Sequence, residues 1–184
     1  MTFIFELDAR LSSRLRIAEK PSLQRSVAAF LAHSGDSWFW GMGLVAVWFL
    51  SGSFWKQWAV LMLATISALA ALVMGLKFVF RRRRPQGEWG SIYRNTDPHS
   101  FPSGHAARAF LIAVLATGLG PSGLALALWG WAPLVSLARV AMGVHYISDV
   151  LAGSILGILL GLATWHFHDQ ILARLATLAG MALW

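Results

Sequence analysis

The 184-residue chain contains no cysteine, which excludes disulfides and thiol chemistry and leaves the redox compartment undetermined. Charge is equally scarce: Asp, Glu, Lys and Arg together make up 12% of the residues against 57% hydrophobic ones, far from soluble usage. Acidic side chains number eight against fifteen basic ones, a net charge of +7. That excess fits anionic lipid headgroups or a phosphorylated substrate, and in a chain this apolar nucleic acid is the least suitable partner. The start, MTFIFELDARL, is interrupted by Glu6 and Asp8 and lacks the basic region and apolar length of a secretory signal. Neither an internal repeat nor a low-complexity linker breaks the chain, so a single membrane domain over 1–184 is the economical reading.

What is abundant is apolar sequence. Five runs approach or reach the roughly 17 to 25 residues that cross a ~30 Å hydrocarbon core as helix. They lie at about 38–55, 58–80, 104–118, 124–143 and 147–167, with Lys56 and Gln57 as the turn between the first two and Gly118–Gly123 as a breaker cluster. Trp38, Trp40, Trp55 and Trp58 bracket apolar runs, as interfacial rings do; the competing reading is core packing. Residues 7–34 mix Arg10, Arg14, Arg16, Lys20 and Arg25 with leucines, the pattern of an interfacial amphipathic helix divided at Pro21. Residues 168–184 suit a second interfacial helix. The expected fold is therefore all-α, a polytopic helical bundle of five transmembrane helices with amphipathic N-terminal and C-terminal helices. Gly153, Gly157 and Gly161 form a small-residue stripe that lets two helix backbones approach closely.

Ionisable groups inside such spans are costly and ask for a partner or a job. Lys77 ends the second run and Arg84 follows it; Ser103 and His105 open the third; Arg139 ends the fourth; His145 and Asp149 open the fifth. Because alternate crossings reverse direction, all of these fall at one membrane surface. Seven positions separate Lys77 from Arg84, close to two helical turns, so a helix continuing to Pro85 would project both cations from one face. A guanidinium fork and a compact ammonium both suit phosphoryl oxygens. Ser103 and Gly104 stand where a helix N-terminus presents amides to an anion, and Ser103 is also a plausible cap.

His145 and Asp149 are four apart, on one helical face, where the carboxylate can orient the imidazole as a nucleophile. His105, from another helix, can supply the proton that a leaving alkoxide needs. The bland alternatives are a positive-inside anchor for Arg81–Arg84, an ordinary helix start for Pro102–Gly104, and a snorkelling Arg108. A metal held by His105, His145 and Asp149 is opposed by the surrounding cations. His33, His99, His166 and His168 have no comparable setting and read as interfacial.

Lys77 with Arg84-Pro85, Pro102-Ser103-Gly104-His105, and Arg139 with His145 and Asp149 form a pattern in three parts over residues 77–149. It resembles the signature of the type 2 phosphatidic acid phosphatase superfamily, which includes membrane lipid phosphatases and vanadium haloperoxidases. The resemblance implies that Lys77, Arg84, Ser103, Gly104 and Arg139 bind the phosphoryl group, that His145 is the nucleophile, His105 the general acid and Asp149 the orienting partner. It further implies hydrolysis of a lipid phosphate, such as phosphatidate, phosphatidylglycerol phosphate or a polyprenyl phosphate or diphosphate, through a phosphohistidine and with no metal or other cofactor. The family pattern has serine before the third-part arginine; Ala138 stands here, which removes one phosphate hydrogen bond. Family lipid phosphatases commonly have six spans against the five counted. Trp89, Ile92 and Tyr93, in the long connection 81–103, either contact lipid over the site or anchor the loop at the interface. The basic N-terminal segment shares a side with the site, which the positive-inside rule assigns to the cytoplasm of a bacterial or archaeal cell membrane. A vanadate-dependent oxidant and a non-catalytic lipid-phosphate-binding protein are the alternatives.

Overall fold

A computed structural model of the chain describes residues 2–19, 21–87, 89 and 97–179, with side chains from residue 5 onward. Its order is α1 (Thr2–Arg14), α2 (Leu23–Ser34), α3 (Ser37–Leu50), α4 (Ser53–Phe80), α5 (Gly104–Leu119), α6 (Ser122–Ala141), α7 (Ile147–His166) and α8 (His168–Ala179). Among the described residues the β pairing is limited to an isolated antiparallel bridge between Arg83 and His99. Three helices, α4, α6 and α7, are both long and apolar enough to cross a membrane; α3 and α5 are apolar but shorter, at 14 and 16 residues.

Residues Ala106–Ala109 and Leu111–Ala116 of α5 are buried, so this helix is the core of the bundle. α7 packs against it along the glycine stripe. A Cβ added at Gly153 would lie 2.4 Å from the Ser103 carbonyl oxygen, and one at Gly157 only 2.0 Å from that of Ala107. Backbone touches backbone here, as the stripe predicts. The outer faces carry large exposed apolar side chains, among them Phe49, Leu50, Leu126 and Leu159. Such a band is stable where lipid covers it.

Boundaries depart from the sequence reading at informative places. The turn expected at Lys56–Gln57 falls instead at Ser51–Gly52, so α4 begins at Ser53 and Trp58 becomes core rather than an interface marker. Trp38 stays exposed. Pro21 does divide the N-terminal segment, and Ser22 caps α2 by accepting from the Arg25 amide at 3.1 Å. α1 docks onto the start of α7: Ser12 Oγ accepts from the Ile147 amide at 3.0 Å and Asp8 Oδ1 from the Ser148 amide at 3.1 Å. α8 has no buried residue and keeps its amphipathic character. Ile92, Tyr93 and residues 180–184 lie outside the described residues.

Candidate active site

Four chain segments deliver the polar layer. The end of α4 contributes Lys77, but the helix stops at Phe80, where Arg81 adopts a left-handed conformation (φ 48°). Lys77 and Arg84 therefore do not share a helix, contrary to the spacing argument. The chain runs on extended, pairs at Arg83–His99, and brings Arg84 back over the site. Both cations converge on Asp97, whose Oδ2 accepts from Lys77 Nζ and, at 2.7 Å, from Arg84 Nη2; the Asp97 carbonyl takes Arg84 Nε at 2.7 Å. Lys77 and Arg84 are nearly fully buried while Asp97 keeps solvent access.

His145 sits in the turn between α6 and α7, 1% exposed. Gly143, two residues earlier, has φ 67°, a left-handed conformation that glycine adopts at no steric cost. Arg84 Nη1 donates to His145 Nε2 at 3.2 Å and to the Val144 carbonyl at 2.8 Å. A ring nitrogen that accepts carries no proton, so this contact assigns the hydrogen to Nδ1, which faces Asp149 Oδ2 at 3.4 Å. Burial first, then the charges of Arg84, Arg139 and Lys77, push the His145 imidazole well below the ordinary histidine value. The ring is thus neutral, with Nε2 unprotonated against the Arg84 guanidinium.

Asp149 is itself held. Its Oδ2 accepts from the Tyr146 amide at 2.9 Å and its Oδ1 from Arg82 Nη1 at 2.8 Å. Arg82 also reaches Ser148 Oγ at 2.6 Å and Asp8 Oδ2 at 2.7 Å, and its guanidinium stacks 4.0 Å from the Tyr146 ring centre. The sequence reading treated Arg82 as part of a basic run and missed this role. No spacing signal identifies it, because the extended path after Phe80 decides which arginine turns inward.

The start of α5 contributes Ser103, Gly104 and His105. Ser103 Oγ caps the helix at the Ala106 amide (3.5 Å), and its own amide donates to the Asp149 carbonyl at 2.9 Å, tying α5 to α7. Gly104, His105, Lys77, Asp97 and His145 line one cavity of about 150 Å³, which continues along the apolar Val73, Leu69 and Ile66 of α4. Arg139, 2% exposed near the end of α6, lies close enough to act electrostatically on Lys77, His105 and His145. Every residue of the three-part pattern is thus in one layer.

Arg108, His33, Trp89 and Ala138 each have defined contacts beside this layer. Arg108 does not snorkel; it is buried and donates to the Gly35 carbonyl and, at 2.7 Å, to Ser37 Oγ. His33, expected to be merely interfacial, lies 3.0 Å from Asp36, whose other oxygen is 2.7 Å from His105 Nε2. Trp89 packs on α2, 5.8 Å from the Arg25 guanidinium and 6.1 Å from the His33 ring, and so anchors the long connection. Ala138 faces an apolar cluster with Ala28 and Ala32 of α2.

This arrangement defines a phosphate-handling membrane protein, and comparison with known proteins places it. The PAP2 superfamily model matches residues 58–172. A probable lipid phosphate phosphatase beta of Arabidopsis thaliana is 30% identical, with 93% of this chain and 94% of the relative covered. A lipid A 1-phosphatase of Porphyromonas gingivalis is 32% identical over 63% of this chain and 26% of the relative. Among solved structures, a transmembrane PAP2-type phosphatidylglycerolphosphate phosphatase from Bacillus subtilis superposes with a TM-score of 0.76 at 24% identity, covering 93% and 89% of the two chains. LpxE of Aquifex aeolicus superposes with a TM-score of 0.67, also at 24% identity, covering 86% and 94%; at that identity both share the fold. The chain belongs to the PAP2 superfamily. Within it, this is an integral membrane lipid phosphatase, a hydrolase of phosphoric esters.

Proposed function

We propose that the protein hydrolyses a lipid phosphate by two displacements at phosphorus, with His145 as nucleophile and no metal. The observation that carries this reading is the buried His145 imidazole, with the Asp149 carboxylate 3.4 Å from one nitrogen and the Arg84 guanidinium 3.2 Å from the other. In the first displacement Nε2 attacks phosphorus, the ester P–O bond breaks, and His105 gives a proton to the departing oxygen. Water then attacks the phosphohistidine, the N–P bond breaks, and the proton of the water returns to His105. Lys77, Arg84 and Arg139 stabilise the charge on the equatorial oxygens, aided by Ser103 and the Gly104 amide at the start of α5.

The Asp97 carboxylate marks the phosphoryl position, since it is an anion of similar hydrogen-bonding character held by the same two cations. A substrate phosphoryl group would displace it. The apolar continuation of the cavity along Val73, Leu69 and Ile66 suits a lipid entering sideways from the bilayer, with its tail against α4. Phosphatidate, phosphatidylglycerol phosphate and polyprenyl phosphates or diphosphates share that form.

For topology, the reading is five crossings, α3 to α7, with α1, α2 and α8 interfacial. The docking of α1 on the start of α7 supports a common side for the N-terminal segment and the site. The cations Arg10, Arg14, Arg16, Lys20 and Arg25 favour the cytoplasm for that side. The test is phosphate release by purified protein in mixed micelles across glycerolipid and polyprenyl substrates, in chelator and with vanadate. Turnover in chelator, inhibition by vanadate and loss of activity in His145→Ala support the reading; metal dependence contradicts it.

A further inference from the structure

We propose that Asp36, at the turn between α2 and α3, is the positioning partner of His105 and fixes which imidazole nitrogen serves as the acid. Asp36 lies outside the three-part pattern, 69 positions before His105. Its Oδ1 is 2.7 Å from His105 Nε2, and its Oδ2 is 3.0 Å from His33 Nδ1 and accepts from Trp38 Nε1 at 3.3 Å. The inference rests on the reading of His105 as general acid given above.

The turn is built to hold this carboxylate in place. Arg108, one turn beyond His105 on α5, donates through Nε to the Gly35 carbonyl at 2.9 Å and through Nη1 to Ser37 Oγ at 2.7 Å, bracketing Asp36 on both sides. Gly35 packs so closely that an added Cβ would stand 3.2 Å from His105 Cδ2 and 3.0 Å from Val135 Cγ1. The Cδ2–Nε2 edge of the ring therefore faces the turn. What remains for the cavity shared with Lys77 and His145 is the Nδ1 edge. Asp36 makes no side-chain cap bond to α3, so a half-buried carboxylate at this N-cap position is not explained by helix capping.

Burial works to raise the Asp36 pKa, but the hydrogen bonds from His105 and His33 outweigh it and keep the group ionised, well below the usual carboxylate range. An ionised partner on Nε2 keeps a proton there through the whole cycle and stabilises the imidazolium. The proton given to the leaving oxygen is then the one on Nδ1, and the same nitrogen recovers a proton from the attacking water. Asp36 touches neither the substrate nor phosphorus; it acts through His105.

A positioning role of this kind is read by leaving-group dependence. An alkyl phosphate such as dodecyl phosphate needs a proton on its departing oxygen, while 4-nitrophenyl phosphate departs without one. With purified full-length protein in detergent micelles, Asp36→Asn is expected to lower kcat/KM for dodecyl phosphate by about 100-fold and for 4-nitrophenyl phosphate by less than about threefold. His105→Asn gives the same selective loss, and adding Asp36→Asn to it costs nothing further. Asp36→Glu retains the carboxylate and the preference for dodecyl phosphate, which keeps the comparison available if Asp36→Asn fails to fold. Equal losses on both substrates, or additive losses in the double variant, overturn the inference. His145→Ala separates it from the underlying reading: that variant must lose both substrates, and turnover surviving there removes the site assignment whatever Asp36 does.

Discussion

Arg82 donates to Asp149 at 2.8 Å with one guanidinium nitrogen and to Asp8 at 2.7 Å with another, so the carboxylate that faces His145 is anchored to the N-terminal helix. Removing this arginine leaves Asp149 buried and short of its charged partner. Arg82→Ala is expected to reduce kcat about 10- to 100-fold with little change in KM, since partners that orient a catalytic group act at that scale. Arg82→Lys rescues only in part, because an ammonium cannot reproduce the two-sided fork. Steady-state kinetics on a lipid phosphate in micelles, resolved into kcat and KM, checks this. A KM effect alone would place Arg82 among the phosphate binders instead.

Asp97 holds both Lys77 and Arg84, so on the proposed mechanism it competes with substrate for them. Hydrogen bonds to charged groups contribute about 1.5 to 3 kcal/mol, so freeing those donors lowers KM and the vanadate inhibition constant of Asp97→Ala by roughly tenfold. A rise in both would mean that Asp97 organises the cations for substrate and does not stand in for it.

The depressed pKa of His145 fixes the sign of the acid limb. Its ordinary value is 6.5, and burial with three nearby cations holds the folded-state value below that. His145 therefore stays neutral as pH falls through 6.5 and is protonated only when pH passes the lower folded value. The unfolded chain binds that proton first, so stability also declines from about pH 6.5 downward. A kcat/KM profile together with thermal unfolding across pH 4 to 8 shows both. An activity midpoint at or above pH 6.5 assigned to His145 contradicts the electrostatic account.

The contact between α5 and α7 carries the site, because Ser103 and Asp149 are joined across it. Gly157→Ala would place a methyl 2.0 Å from the Ala107 oxygen and force the backbones apart, at about 1 to 3 kcal/mol. Gly130→Ala in α6 meets nothing within 4 Å and is neutral or stabilising by up to about 1 kcal/mol. Melting temperatures in detergent should separate the two variants, with activity falling in Gly157→Ala alone.

The sequence disclosed most of this site because its chemistry is costly in an apolar setting. Lys77, Arg139, His145 and Asp149 stand out wherever hydrocarbon surrounds them, and alternation of crossings is enough to bring them to one side. The glycine stripe was readable for the same reason, since in lipid small residues every four positions serve close packing. What could not be read were partners delivered by irregular backbone. Arg82 differs from its neighbours only through the left-handed residue at Arg81 and the extended path that follows. Asp36 sits in a two-residue junction between helices, where neither period nor motif points to it. Lys77 and Arg84 meet at Asp97 because the chain folds back, not because a helix presents both.

The central claim is that phosphorus becomes bonded to His145 during turnover. Protein mixed with lipid phosphate, quenched within milliseconds in alkaline denaturant and digested for mass spectrometry, should carry the phosphoryl group on the His145 peptide, decaying as phosphate appears. His145→Ala should carry none. Phosphate on another residue, or full turnover with no phosphoenzyme at any time, would contradict the account.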